Sequence, residues 1–315
     1  MKMKRLAYLL GATALASGVA FAQNAPPPDH PSVTVKGQTF TPRTILSRNM
    51  GTEADQTTQF PPHKIVGNVY YVGTRSLGSF LITTPQGHIL INSDYERTVP
   101  VIRGSVEKLG FKFSDIKIVL GSHAHGDHME GDALMKELTG AQVMAMAEDV
   151  PALERMKPGN KPHPIDRVLH DGDTVALGGT TLTAHLTPGH TKGCTTWTMT
   201  AEEKGKKYNV VFVCSVGLSG IGGPGGVPLI GNPKYPKAVE DFAKSFKVLK
   251  SLTPEIFLAS HGSFFHMAEK IARVEKGGGV EVWIDPAGYK KYVEDSRSEE
   301  HTSELQSLAY LVCRL

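Results

Sequence analysis

Cysteine is scarce in this chain, three among 315 residues. So few thiols argue against a structural zinc cluster, which more often draws on Cys. Surplus charge of one sign is also lacking. Lys and Arg number 34 against 31 Asp and Glu, and three of the 34 (Lys2, Lys4 and Arg5) sit in the first 22 residues. Without them the balance is even, and no basic surface is left to suggest a nucleic-acid partner. Long apolar runs are missing after residue 22. Residues 1–22 read as a signal peptide, with a basic start, an apolar stretch over residues 6–19 and Ala20-Phe21-Ala22 before Gln23. Cleavage after Ala22 and export, to a bacterial periplasm, are expected. That stretch is short and rich in Ala and Gly, and no second one follows, so no stable membrane association is expected once it is removed.

What is present is concentrated in residues 116–128. Ile116-Lys117-Ile118-Val119-Leu120 reads as a buried strand, Gly121-Ser122 ends it, and His123-Ala124-His125-Gly126-Asp127-His128 follows. Ligands on a loop at the C-terminal edge of a strand stand where α/β proteins carry their chemistry. Alternate side chains of an extended segment share a face, so His123 and His125 can meet one ion while Asp127 and His128 turn to a second. A mixed His/Asp set suits catalytic zinc. Two ions need further ligands. His190 lies in the turn Thr187-Pro188-Gly189-His190-Thr191, and His261 closes another apolar strand, Ile256-Phe257-Leu258-Ala259-Ser260-His261.

H-x-H-x-D-H, then T-P-G-H-T, then a distant strand-end His resemble the metallo-β-lactamase fold superfamily. More closely, residues from about 56 to 292 resemble the third subclass of the class B β-lactamases. The stretches that carry this are Gln59-Phe60-Pro61-Pro62, residues 84–92 (TPQGHILIN), residues 107–111 (EKLGF) and residues 181–191 (TLTAHLTPGHT).

The resemblance implies two Zn2+ per chain, one held by His123, His125 and His190, the other by Asp127, His128 and His261. It implies hydrolysis of the β-lactam amide of antibiotics by a metal-bound hydroxide that Asp127 orients, with a small-molecule β-lactam as partner; a monomer is expected. Ser215 matches a Ser of the subclass, and its neighbourhood up to Ser219 is where the substrate carboxylate is expected to bind. A lactonase or another hydrolase of the superfamily is the alternative. Many thioester and phosphoester hydrolases of the superfamily carry a bridging Asp at the strand end after the third His, where this chain has Val213-Cys214-Ser215-Val216. In the sister subclasses where Arg follows the Asp, a Cys from that later strand binds the second zinc; here His128 takes the place. A rival set of Asp127, Cys214 and His261 would leave His128 unexplained.

Cys194 and Cys214 lie on segments that read as neighbouring antiparallel strands joined by residues 201–207, and in an oxidising compartment they form a candidate disulfide; two buried thiols are the alternative. Asp94 is a candidate acceptor behind a zinc-bound imidazole. His185 reads either as such a partner or as a near-core histidine, and His63, His88, His163, His170 and His266 read as surface or packing residues.

Four stretches divide the chain: the signal peptide 1–22, an extended segment 23–58 rich in Pro, Thr and Gln, a domain 59–296, and residues 297–315. That last stretch resembles the conceptual translation of a sequencing-adapter read-through, which would cut a native helix begun near Pro286. Within the domain, strands first meander and then interleave with helices, twice over. Two mixed sheets packed face to face with helices on the outer faces, an αββα sandwich in the α/β class, are expected; the early turns are too short for the crossover helices of a single doubly wound sheet.

Overall fold

The computed structural model describes residues 51–217 and 229–298, together with two short strands, β1 (Val33–Val35) and β2 (Gln38–Phe40), that pair as an antiparallel hairpin. The signal-peptide reading, Ser219 and residues 299–315 fall outside the described residues. The chain divides into a unit of residues 1–41, which holds that hairpin, and a unit of residues 42–315.

A helix, α1 (Glu53–Thr57), lies in the stretch read as extended. Its signal was local: Thr52 accepts from the Asp55 backbone N–H while Asp55 accepts from the Thr52 N–H, a capping box three residues wide.

Seven strands then form one sheet, β3 (His63–Val66), β4 (Val69–Tyr71), β5 (Phe80–Thr84), β6 (Gly87–Ile91), β7 (Ile116–Leu120), β8 (Gln142–Met146) and β9 (Arg167–Leu169), in that spatial order. The first four meander antiparallel, and β6 to β9 run parallel. Helices α2 (Val99–Lys108), α3 (Gly126–Met129), α4 (Asp132–Thr139) and α5 (Val150–Leu153) occupy the connections between the parallel strands. The second sheet orders β10 (Thr174–Leu177), β11 (Thr180–Leu186), β12 (Thr195–Glu203), β13 (Lys206–Val213) and β14 (Ile256–Ala259), antiparallel except for the last pair. Helices α6 (Ala238–Ser251), α7 (Met267–Val274) and α8, which begins at residue 286, follow the later strands. The two mixed sheets with their helices bear out the expected αββα sandwich.

Period-two alternation explains the layering. Phe80, Ile82, Ile89, Ile91, Leu120 and Met144 point into the cluster between the sheets, where they meet Leu182, Ala184, Trp197 and Phe212. Their neighbours Leu81, Leu90, Val119 and Val143 point the other way, onto Val99, Ile102, Val106 and Met135 of α2 and α4. Strands buried on both faces read as continuous apolar runs, which is why β7 was legible at once.

Two details differ from expectation. The strand β9 lies within residues 157–170, whose Pro-rich, aperiodic sequence predicts a surface loop, and the linker expected over residues 201–207 is a two-residue turn: Lys204 (φ 51°) and Gly205 (φ 78°) are both left-handed, as a tight hairpin between right-twisted strands requires.

His63 opens β3 between Tyr71 and Trp283, its ring stacked on each at 5.3 and 5.2 Å between centroids, with Nδ1–H donating to the Pro61 carbonyl at 2.8 Å. Burial pushes its pKa down to about 4. The unfolded chain takes up this proton near 6.5 and the folded chain only near 4, so stability present above pH 6.5 is lost as the pH falls through that window, by about 3 kcal/mol. Chemical denaturation of metal-free protein at pH 7 and pH 4.5 should show His63→Phe losing distinctly less stability than the parent; equal losses would remove His63 from the account.

Candidate metal centre

All six expected ligands lie on segments that follow the C-terminal ends of three strands. Strand β7 runs out into Ser122 and His123; His125 then precedes α3, whose single turn carries Asp127 and His128. His190 follows β11 and His261 follows β14, where it bridges to Leu77. The two sheets are tied together at this edge, since Trp197 Nε1 donates to the Gly121 carbonyl at 3.1 Å and the Thr195 N–H to the Ser122 carbonyl at 2.7 Å.

The structure brings these side chains into two groups, His123 with His125 and His190, and Asp127 with His128 and His261. In the first, Nε2 of His190 faces Nε2 of His123 at 3.1 Å, and the His125 ring stands 4.7 and 4.8 Å from the other two. In the second, Nε2 of His128 is 3.3 Å from Nε2 of His261 and 3.1 Å from Asp127 Oδ2, which lies 3.6 Å from His261. Tetrahedral donors bound at 2.0–2.1 Å stand about 3.3 Å apart, so these separations match the edges of a polyhedron that could hold a metal ion. Facing imidazole nitrogens also repel unless a proton or a cation lies between them.

The electrostatics agree. Burial and its histidine neighbours hold His123 well below the ordinary range; burial brings His190 down to about 3, and burial with His128 does the same for His261. Burial opposes ionisation of Asp127, but His128, His261 and His125 outweigh it and keep the carboxyl ionised. Burial likewise opposes a charge on His128, and Asp127 overrides it in the other direction. Neutral imidazoles beside an ionised carboxylate are the form in which such residues bind a metal, and a divalent ion would displace the proton shared by Asp127 and His128.

Behind the ligands, the His190 Nδ1–H donates to the Gly217 carbonyl at 2.6 Å, which leaves Nε2 as the donor atom, and Nδ1 of His123 lies 3.1 Å from Ser122 Oγ. Asp94 is fully buried with left-handed backbone (φ 57°) and neither oxygen hydrogen-bonded; burial pushes its carboxyl up to about 7 against the pull of His128. His185 is not behind any ligand: it lies off the core-facing side of β11 and bonds Thr198 Oγ1 at 2.8 Å. His88 and His163 are buried, and His163 Nε2 is 3.1 Å from the fully buried Asp132.

Cys194 and Cys214 form a disulfide, Cα atoms 5.8 Å apart, directly beneath the first group: Cys214 Sγ is 3.5 Å from His123 Nδ1. Bonded to Cys194, Cys214 does not belong to the Asp127 group. Ser215 follows it, buried, its Oγ accepting from the Gly217 N–H at 3.2 Å.

Sequence reading passed over Asp149, which ends the turn after β8. Its Oδ2 accepts from the Ala124 N–H and the Thr191 hydroxyl, both at 2.8 Å, and its Oδ1 from the Gly193 N–H at 2.7 Å. No local signal marks it, because its partners lie 25 to 44 residues away.

A family model described as the metallo-beta-lactamase superfamily matches residues 79–261. Among solved structures, the native FEZ-1 metallo-beta-lactamase from Legionella gormanii is similar at 46% identity and TM-score 0.74, over 80% of this chain and 98% of that one. BJP-1, a subclass B3 metallo-beta-lactamase of Bradyrhizobium japonicum, is similar at 34% identity and TM-score 0.73, over 82% and 98%. Among curated proteins, the hydroxyacylglutathione hydrolase of Hyphomonas neptunium is 32% identical over 117 residues, 37% of this chain and 41% of that relative. The chain thus spans about two fifths of the length of that relative.

Proposed function

The chain belongs to the metallo-beta-lactamase superfamily, and from that premise we propose that it hydrolyses the amide bond of β-lactam antibiotics with two zinc ions, one in each three-donor group, and so confers resistance. The observation that carries this reading is the second group: His128 turns its Nε2 to His261 and Asp127, while the cysteine of the later strand is bonded to another cysteine. That ligand set is the one the subclass resemblance implies, and the similarity to both lactamases extends over nearly their whole length.

When bound, such ions lower the pKa of a water towards neutrality and polarise a carbonyl. The chain's own residues do the rest. Asp127, ionised and aimed into the centre, accepts a hydrogen bond from the attacking water and fixes its approach to the lactam carbonyl; the C–N bond then breaks and the ring nitrogen takes up a proton. Ser215 Oγ already accepts from Gly217, so its own O–H is left to donate to the substrate carboxylate.

Similarity to hydroxyacylglutathione hydrolases supports a second reading, thioester hydrolysis. Against it stands the end of β13, where Val213 is followed by disulfide-bonded Cys214 and Ser215; among the described residues Asp127 is the one carboxylate in the two groups. The proposal includes export to the periplasm after cleavage at Ala22, supported by the n-region, apolar stretch and Ala20-Phe21-Ala22, and a disulfide suits that oxidising compartment.

The test is turnover of a chromogenic cephalosporin by the purified protein, beside a hydroxyacylglutathione thioester and a lactone. Cephalosporin hydrolysis that stops with a chelator and returns with about two equivalents of zinc is expected. A zinc-loaded protein that cleaves the thioester or the lactone and leaves the cephalosporin intact would overturn the assignment.

A further inference from the structure

Three hydrogen-bond donors from two separate loops converge on one buried carboxylate. Asp149 is 3% exposed and ends the turn after β8, on neither ligand-bearing loop. Ala124, whose N–H it takes, lies between His123 and His125; Thr191 follows His190 directly, and Gly193 is two residues further on. Every one of these bonds reaches a segment that supplies the three-histidine group, and none reaches Asp127, His128 or His261.

We propose that Asp149 is the positioning residue of the first metal group, a clamp that fixes the distance between the His123–His125 loop of one sheet and the His190 loop of the other. This rests on the reading that the histidines hold a metal. The residue type follows from the chemistry. Two N–H groups and a hydroxyl point at the same spot, and only an ionised carboxylate accepts from all three without presenting a hydrogen of its own. Asn in its place turns an NH2 towards at least one donor, and a buried donor left unpaired favours an opened loop. Room is equally restricted: a Cβ on Gly193 would stand 2.5 Å from the Asp149 backbone nitrogen and 2.7 Å from its side chain, so the loop approaches as closely as it does because that position is Gly. A metal polyhedron tolerates errors of only a few tenths of an ångström, so loosening the clamp weakens the three-histidine group first.

Competitive titration of metal-free protein with zinc against a chromophoric chelator resolves two affinities, and cobalt(II) spectra distinguish a three-nitrogen site from one with a carboxylate. For Asp149→Asn the affinity of the three-histidine group is expected to fall about 10- to 100-fold, the range seen when groups behind metal ligands are changed, with the other group unaltered. Thr191→Val, which removes one bond of three and leaves the carboxylate, should give a smaller loss in the same group. Equal losses at both groups, or unchanged affinities beside a lowered melting temperature, would overturn the proposal and reduce Asp149 to a packing role. Failure of the parent protein to take up any metal would instead bring down the functional reading beneath it.

Discussion

Replacing Asp127 by asparagine is expected to cut cephalosporin turnover by about 10²- to 10⁴-fold, the span associated with losing a positioned proton acceptor, with the fold intact. Asp127 stands within 3.1 Å of His128 and 3.6 Å of His261, and both interactions draw on its charge. Asparagine keeps the shape and loses that charge, so two deficits follow together: weaker binding in the second group and no carboxylate to orient the attacking water. They separate in one experiment. If excess zinc restores the rate, Asp127 acts only as a ligand; if metal content is restored and kcat stays low with KM little changed, it acts on the water as well. Asparagine matches the shape of the largely buried Asp127 side chain, which is 13% exposed on a single-turn helix, so the melting temperature should hardly move. A variant that retains both metals and more than about a tenth of the parent rate would remove Asp127 from the chemistry.

Why Asp127 could be picked out of the sequence, and Asp149 could not, follows from where each gets its partners. The ligands of residues 123–128 crowd into six positions behind an apolar strand, so spacing alone brings them together. His190 and His261 repeat the pattern of strand, small residues and ligand, and the resemblance supplied the grouping that the geometry now supports. Asp149 follows an apolar strand like many surface acids; its role appears only when Ala124, Thr191 and Gly193 arrive from elsewhere in the chain. Asp94 lies between the two cases, marked by its place at a strand end, while its left-handed backbone and unbonded oxygens are tertiary facts.

The same distinction governs the fold. Strand β7 announced itself because both faces of the first sheet are buried and each face keeps its own apolar period. Strand β9 did not, since it is three residues at the sheet edge after a Pro-rich loop, held by pairing with β8 and with only Leu169 buried. Edge pairing is a property of the neighbour as much as of the strand itself. Helix α1 rests on a capping box that the extended reading of its segment overlooked.

Removing the disulfide is the complementary experiment, because its expected effect falls on stability and not on the second metal group. The bond closes a loop of 20 residues between β12 and β13, and cross-linking such a loop restricts the unfolded chain by about 3 kcal/mol. The double variant Cys194→Ala, Cys214→Ala should therefore unfold at a melting temperature about 10 °C below the parent. Since Cys214 Sγ packs 3.5 Å from His123 Nδ1 and 3.2 Å from the Ser122 carbonyl, the space it vacates lies beneath the three-histidine group. Some loosening there is expected, while His128, Asp127 and His261 keep their own contacts and their metal. The opposite pattern, in which the double variant keeps the first ion and loses the second, would make Cys214 a ligand, leave His128 without a role, and place this chain's second metal site with the thiolate-binding subclasses.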